Sequence, residues 1–168
     1  MDDKLIRKIV DNVVSEYRKR TDGAAPDRSV SVGNITLSRA LELCEAVKAE
    51  AARTGVRAVV CVSDRGGHPI LVECMDDAYI ASYDVAVNKA FTVVALKMST
   101  SKLKPLAQPG GSLYGIQFTN SGKIVIFGGG EPLADLEGNI IGGLGVSGGS
   151  EEQDTALAAY GRKYFEGV

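Results

Sequence analysis

The sequence predicts an α+β fold built on an antiparallel sheet, on three observations. Its strand-like apolar runs come in adjacent pairs instead of alternating with helices. The first pair, residues 57–63 (RAVVCVS) and 69–75 (PILVECM), flanks Asp64-Arg65-Gly66-Gly67-His68, a strand, Gly-Gly turn, strand pattern. Of the 20 glycines, 15 lie from Gly110 onward, so the second half is made of tight turns and close backbone approaches.

The elements follow in order. Residues 1–20 read as an amphipathic helix, because Leu5, Ile6, Ile9, Val10, Val13, Val14 and Tyr17 recur at helical spacing. Asp2 and Asp3 stand near its start and Arg18, Lys19 and Arg20 near its end, the order the helix dipole favours. Residues 21–34 have linker composition, and the folded body spans 35–168. Thr36 caps a helix running to about Thr54, with Leu37, Leu41, Leu43, Cys44 and Val47 on or beside its inner face, and Gly55 stops it. After the hairpin, residues 78–97 form a second helix so densely apolar that much of its circumference must be covered. A short polar segment to Leu106 and a loop at 108–112 come next. Two further strands, 123–127 (KIVIF) and 139–146, are joined by a connection containing Gly and Pro. Ser150 and Gln153 occupy capping-box positions at the start of the last helix.

The chain has 168 residues, enough for one domain plus a short appendage. Hydrophobic residues at 45% and charged residues at 24% are globular proportions. A net charge of −2 argues against a duplex nucleic-acid binder. The absence of Trp and only 6% aromatics argue against a stacking platform for single strands. No apolar run is long enough to span a membrane, and no secretory apolar region opens the chain. Three cysteines, odd in number and without Cys-x-x-Cys spacing, point to a reducing, cytoplasmic compartment.

A literal G-x-G-x-x-G occurs at Gly143, Gly145 and Gly148, but only 20 residues follow it, too few for the strand and acidic residue of a dinucleotide site. Close packing and a tight turn explain these glycines better. Glu151, Glu152 and Asp154 favour the positive end of the last helix, and a solvated helix end explains them better than a metal site. His68 is the single histidine, which excludes a multi-histidine centre within one chain. A neutral imidazole is a good ligand for haem iron, although a histidine after a Gly-Gly turn is more often an ordinary exposed turn residue. Met75, Met98, Tyr79, Tyr83 and the cysteines are alternative soft or anionic ligands, each better explained by core packing. Cys61, inside an apolar strand, is expected to be inert. No catalytic grouping emerges.

The segments VVCVSDRGGHPILVECMDDA, AVNKAFTVVAL, GKIVIFGGGEPL and GGLGVSGGSEEQD resemble the GlcG/HbpS family of haem-binding-type domains, which includes the C-terminal domain of PduO-type proteins from bacterial microcompartments. The resemblance runs from about Ile35 to Phe165. It implies a profilin-like antiparallel sheet of about five strands with helices packed on it, assembling into homo-oligomers. The implied cofactor is haem, with a corrinoid or none as alternatives. His68 stands where many members carry a histidine, and is the preferred iron ligand, with Tyr79, Tyr83 and Lys89 as polar contacts. The chain has no room for the separate helical domain of PduO-type adenosyltransferases, so that activity is not carried over. Residues 1–20 resemble an encapsulation peptide, which would dock helix-in-groove on microcompartment shell or cargo proteins. An enzyme acting on a small metabolite near 128–149, with Glu152 or Asp154 as acid/base, and a non-catalytic scaffold are the competing readings.

Overall fold

The computed structural model describes residues 33–167, so the amphipathic segment 1–20 and most of the linker lie outside the described residues. The first helix, α1 (Leu37–Arg53), starts where the Thr36 hydroxyl accepts the Arg39 N–H at 3.3 Å. It ends at Thr54, before Gly55 at φ +74°. Its buried stripe is Ala40, Leu43, Cys44, Val47 and Ala51. Leu37 and Leu41, expected on or beside that face, are exposed, because the stripe set by Ala40 and Cys44 turns them away from the sheet.

Strands β1 (Val59–Asp64) and β2 (Pro69–Cys74) form the expected antiparallel hairpin. Helix α2 (Ile80–Leu96) and the short α3 (Thr100–Leu106), capped by Ser99, follow. The sheet is completed by β3 (Gly130–Ala134) and β4 (Ile140–Ser147), in the order β2-β1-β4-β3 with every pairing antiparallel. Helix α4 (Glu151–Glu166) closes the fold, and Ser150 and Gln153 make both bonds of the capping box.

Two expectations change. The sheet has four strands among the described residues, one fewer than the resemblance implied. The run 123–127 is not a strand: the Val125 N–H donates to Thr92 Oγ1 at 3.0 Å, while that hydroxyl donates to the Asn88 carbonyl at 2.7 Å and lies 3.3 Å from the Lys123 carbonyl. The backbone of this segment is thus engaged by an α2 side chain, although Ile124 and Val125 are buried as a strand's residues would be. The partner strand starts at Gly130, inside what sequence pattern marked as a connection.

Alternation along β1 and β4 separates two cores. Val60, Val62, Leu144 and Val146 face α1 and α4 together with Leu133 of β3. Val59 and Cys61 face α2 through Ala86 and Ala90. On β4 the positions under α2 are Gly143 and Gly145. A Cβ on either would collide with the carbonyl oxygens of Ala90 and Ala86 respectively. The G-x-G pattern is therefore a seat for α2, as the packing reading expects.

Candidate functional site

The β1–β2 turn is built around Asp64. Its Oδ1 accepts the N–H groups of Gly66 and His68, each at 2.8 Å, and its carbonyl accepts the Gly67 N–H at 3.0 Å. Gly67 has φ +79°, and a Cβ there would come within 2.8 Å of the Phe91 ring, so only glycine lets the turn settle on α2. Burial pushes the Asp64 carboxyl up. The hydrogen bonds from the backbone and ring of His68 and from Gly66 outweigh it and hold Asp64 below its ordinary range.

This turn presents His68 with its side chain 82% exposed and Nδ1 3.3 Å from Asp64 Oδ2. An imidazole that donates Nδ1–H to a carboxylate offers the Nε2 lone pair to a metal. Beside it lies a cavity of about 190 Å³ lined by Gly67, His68, Pro69, Val87, Phe91 and Lys123 among others. Lys123 Nζ stands 5.5 Å from the centre of the Phe91 ring. Val87, Phe91 and Lys123 were not singled out by sequence reasoning. The four-residue spacing of Tyr83, Val87 and Phe91 on one helix was the signal that could have found two of them.

The structure brings some of the expected contacts to this face and not others. Tyr83 is half-exposed one turn before Val87, on the same side of α2. Tyr79, at the N-cap, is exposed and lines a different cavity of about 470 Å³ with Arg57, Asp77, Gly148, Ser150 and Gln153. Lys89 is not brought to His68. It is fully buried, donating to the Val146 carbonyl at 2.7 Å and to Asp154 Oδ2 at 2.8 Å, with Nζ 4.9 Å from the centre of the Phe127 ring. Burial draws the Lys89 ammonium below its ordinary range against the pull of Asp154.

The acid/base candidates Glu152 and Asp154, and Glu151 beside them, have other partners. Asp154 holds Lys89, and its Oδ1 accepts the Gly149 N–H at 2.9 Å. Glu151 accepts the Gly128 N–H at 2.9 Å and Lys104 Nζ at 2.6 Å. Glu152 is exposed at the start of α4, its carboxyl held low by its own N–H and by Ser150. Among the described residues no group of three or more His, Cys, Asp or Glu side chains is gathered to hold a metal ion. The two buried thiols are quiet: burial pushes Cys61 up to about 12 and Cys44 higher still, where Cys44 also donates to Glu73, while Cys74 is exposed at the end of β2. Met75, offered as a soft ligand, accepts the Ala58 N–H on its sulfur at 3.4 Å. No described helix is long and apolar enough to cross a membrane.

The model of the family described as haem degrading protein HbpS-like matches residues 35–163. An uncharacterized 15.0 kDa protein from the dhaT-dhaS intergenic region of Citrobacter freundii is 46% identical over 132 residues, 79% of this chain and 92% of that protein. The corrinoid adenosyltransferase PduO of Salmonella typhimurium is 39% identical over 150 residues, 88% of this chain but 44% of that longer protein. Among solved structures, the Klebsiella pneumoniae protein ORFY superposes with a TM-score of 0.81 at 41% identity, covering 86% of this chain and 99% of its own. A haem complex of PduOC superposes with a TM-score of 0.74 at 38% identity, covering 77% and 94%.

Proposed function

The chain belongs to the HbpS-like family, and from that premise we propose that it binds haem, with His68 as the iron ligand. The carrying observation is the exposed imidazole of His68, backed by Asp64 through Nδ1 and set beside an apolar and aromatic notch. A relative of the same fold holds haem in its crystal, which supports this reading.

The residues present fit one side of a metallo-macrocycle. His68 supplies a nitrogen donor, Val87 and Phe91 an apolar flank, Tyr83 its extension along α2, and Lys123 a cation for a propionate. A cavity of about 190 Å³ takes the edge of such a ring, not its whole area. The remaining face is closed by a second subunit, in a homo-oligomer. Bound haem would contribute the reactivity of its iron; the chain's own part is to hold the ring and to fix the imidazole through Asp64. Titration of the protein with haemin tests this. A saturable Soret band whose position changes in His68→Ala is expected, and an identical band in both proteins removes His68 from the role.

Residues 1–20 complete the proposal as an address that carries the domain from the cytoplasm into a bacterial microcompartment by laying an apolar stripe into a shell or cargo groove. The similarity to PduO supports this reading. A reporter carrying these residues is expected to gather with shells in a microcompartment-forming host; a diffuse reporter beside intact shells overturns the assignment.

A further inference from the structure

The cavity of about 470 Å³ that Tyr79 lines sits at the end of the β1–β2 hairpin remote from His68, where β1 begins and β2 ends. Its lining carries one cation, Arg57, and one carboxylate, Asp77, on two different loops. Among the described residues, neither of these side chains makes an ion pair or a hydrogen bond. We propose that this cavity binds a small zwitterion of the α-amino-acid type. Its carboxylate meets Arg57, and its ammonium meets Asp77 and the Tyr79 ring.

The two loops are tied to each other. The Met75 N–H donates to the Ala58 carbonyl at 3.0 Å, next to Arg57. The Met75 carbonyl accepts the Ala78 N–H at 3.1 Å and closes the turn that contains Asp77. Asp77 stands there at φ +62°, a left-handed position that aspartate tolerates better than most side chains. On the opposite wall, a Cβ on Gly148 would collide with the Arg57 carbonyl oxygen, so glycine lets the end of β4 pack directly on residue 57. Gly148 and Gly149 thereby leave a floor of bare backbone. The polar groups at the start of α4 are already engaged: Ser150 and Gln153 bond each other, and Asp154 takes the Gly149 N–H. Recognition therefore rests on Arg57, Asp77 and Tyr79.

Opposite charges that share a cavity without pairing favour a ligand that carries both. A simple anion meets the repulsion of Asp77, and a simple amine meets that of Arg57. The planar guanidinium matches a carboxylate. Tyr79 is 72% exposed, and an open tyrosine face attracts an ammonium. A cavity of this size suits a small metabolite.

The test titrates the full chain with L-leucine at constant ionic strength and follows amide chemical shifts. 3-Methylbutylamine and 4-methylpentanoate, which keep the alkyl body and one charge each, run in parallel. Saturable shifts at Tyr79, Gly148 and Gly149 are expected with leucine. Either analogue should bind about tenfold more weakly, since each lacks one charge-assisted contact. Arg57→Gln should lower leucine to the affinity of the amine, and Asp77→Asn should lower it to that of the acid. Both residues are exposed, and asparagine also tolerates the left-handed region, so thermal midpoints should stay near that of the parent. A merely structural role for either residue would not change the preference among the three ligands. Unsaturable shifts, equal affinity for all three compounds, or a leucine preference that survives in either variant would overturn the proposal.

Discussion

The Lys89 ammonium lies 2.8 Å from Asp154 Oδ2 with side-chain exposures of 0% and 4%, and it donates in addition to the Val146 carbonyl. Lys89 thus ties α2 to α4 through Asp154 and to β4 through Val146, although α2 and α4 pack on opposite faces of the sheet. With Asp154 Oδ1 holding the Gly149 N–H, it also fixes the loop that turns β4 into α4.

Removing one partner strands the other charge where water cannot reach it. Lys89→Met and Asp154→Asn are each expected to destabilise the fold by about 3–5 kcal/mol, because a lone buried charge is left behind. Lys89→Met combined with Asp154→Leu is expected to recover most of that loss, since two apolar side chains need no partner. Urea unfolding midpoints of the three proteins check the order.

The seat of α2 on β4 makes a second prediction. Gly145→Ala places a methyl group against the Ala86 carbonyl, and overpacking of this kind costs about 1–3 kcal/mol or more. Gly138→Ala meets no atom within 4 Å but sits at φ +83°, so its smaller loss is conformational. A thermal midpoint for Gly145→Ala at or above that of Gly138→Ala would contradict the packing account.

Asp64 organises the turn and orients His68. Asp64→Ala is expected to weaken haemin binding about 10- to 100-fold, the usual range for a carboxylate that supports a ligating histidine. The readout is the haemin dissociation constant beside far-ultraviolet circular dichroism, which separates lost ligation from a lost fold.

Acid sensitivity follows from Glu73. Its hydrogen bond from Lys48 is the largest influence, with a further one from Cys44, and together they hold its carboxyl below the ordinary 4.5. A carboxylate with a folded pKa below its unfolded one adds stability above the unfolded value and loses it as pH falls through the folded value. The protein should therefore weaken progressively below about pH 4.5, and Glu73→Gln should flatten that fall. Denaturation midpoints across pH 3–7 for both proteins measure the difference.

Much of this architecture was legible in local chemistry. Thr36, Ser150 and Gln153 announce helix starts, and Gly66-Gly67 announces the hairpin, because caps and turns are decided by residues next to one another. The run 123–127 misled because its burial is that of a strand while its hydrogen bonds go to Thr92, 33 residues from Val125. Lys89 read as a polar contact for a bound ligand because lysine is seldom buried, and nothing local marks Asp154 as its partner. The histidine and its turn were legible. The notch beside them was legible only in part: helical spacing aligns Val87 and Phe91, whereas Lys123 reaches it only through tertiary packing.

His68 is the single histidine of the sequence, so imidazole-labelled protein reports on one side chain alone. Tag-free protein grown with ¹⁵N-histidine, loaded with haemin and examined by pulsed electron paramagnetic resonance, tests the iron ligand directly. The account predicts strong hyperfine coupling between the ferric centre and a ¹⁵N nucleus, lost in His68→Ala. Haem bound with no ¹⁵N coupling would show that another group holds the iron, and would contradict it.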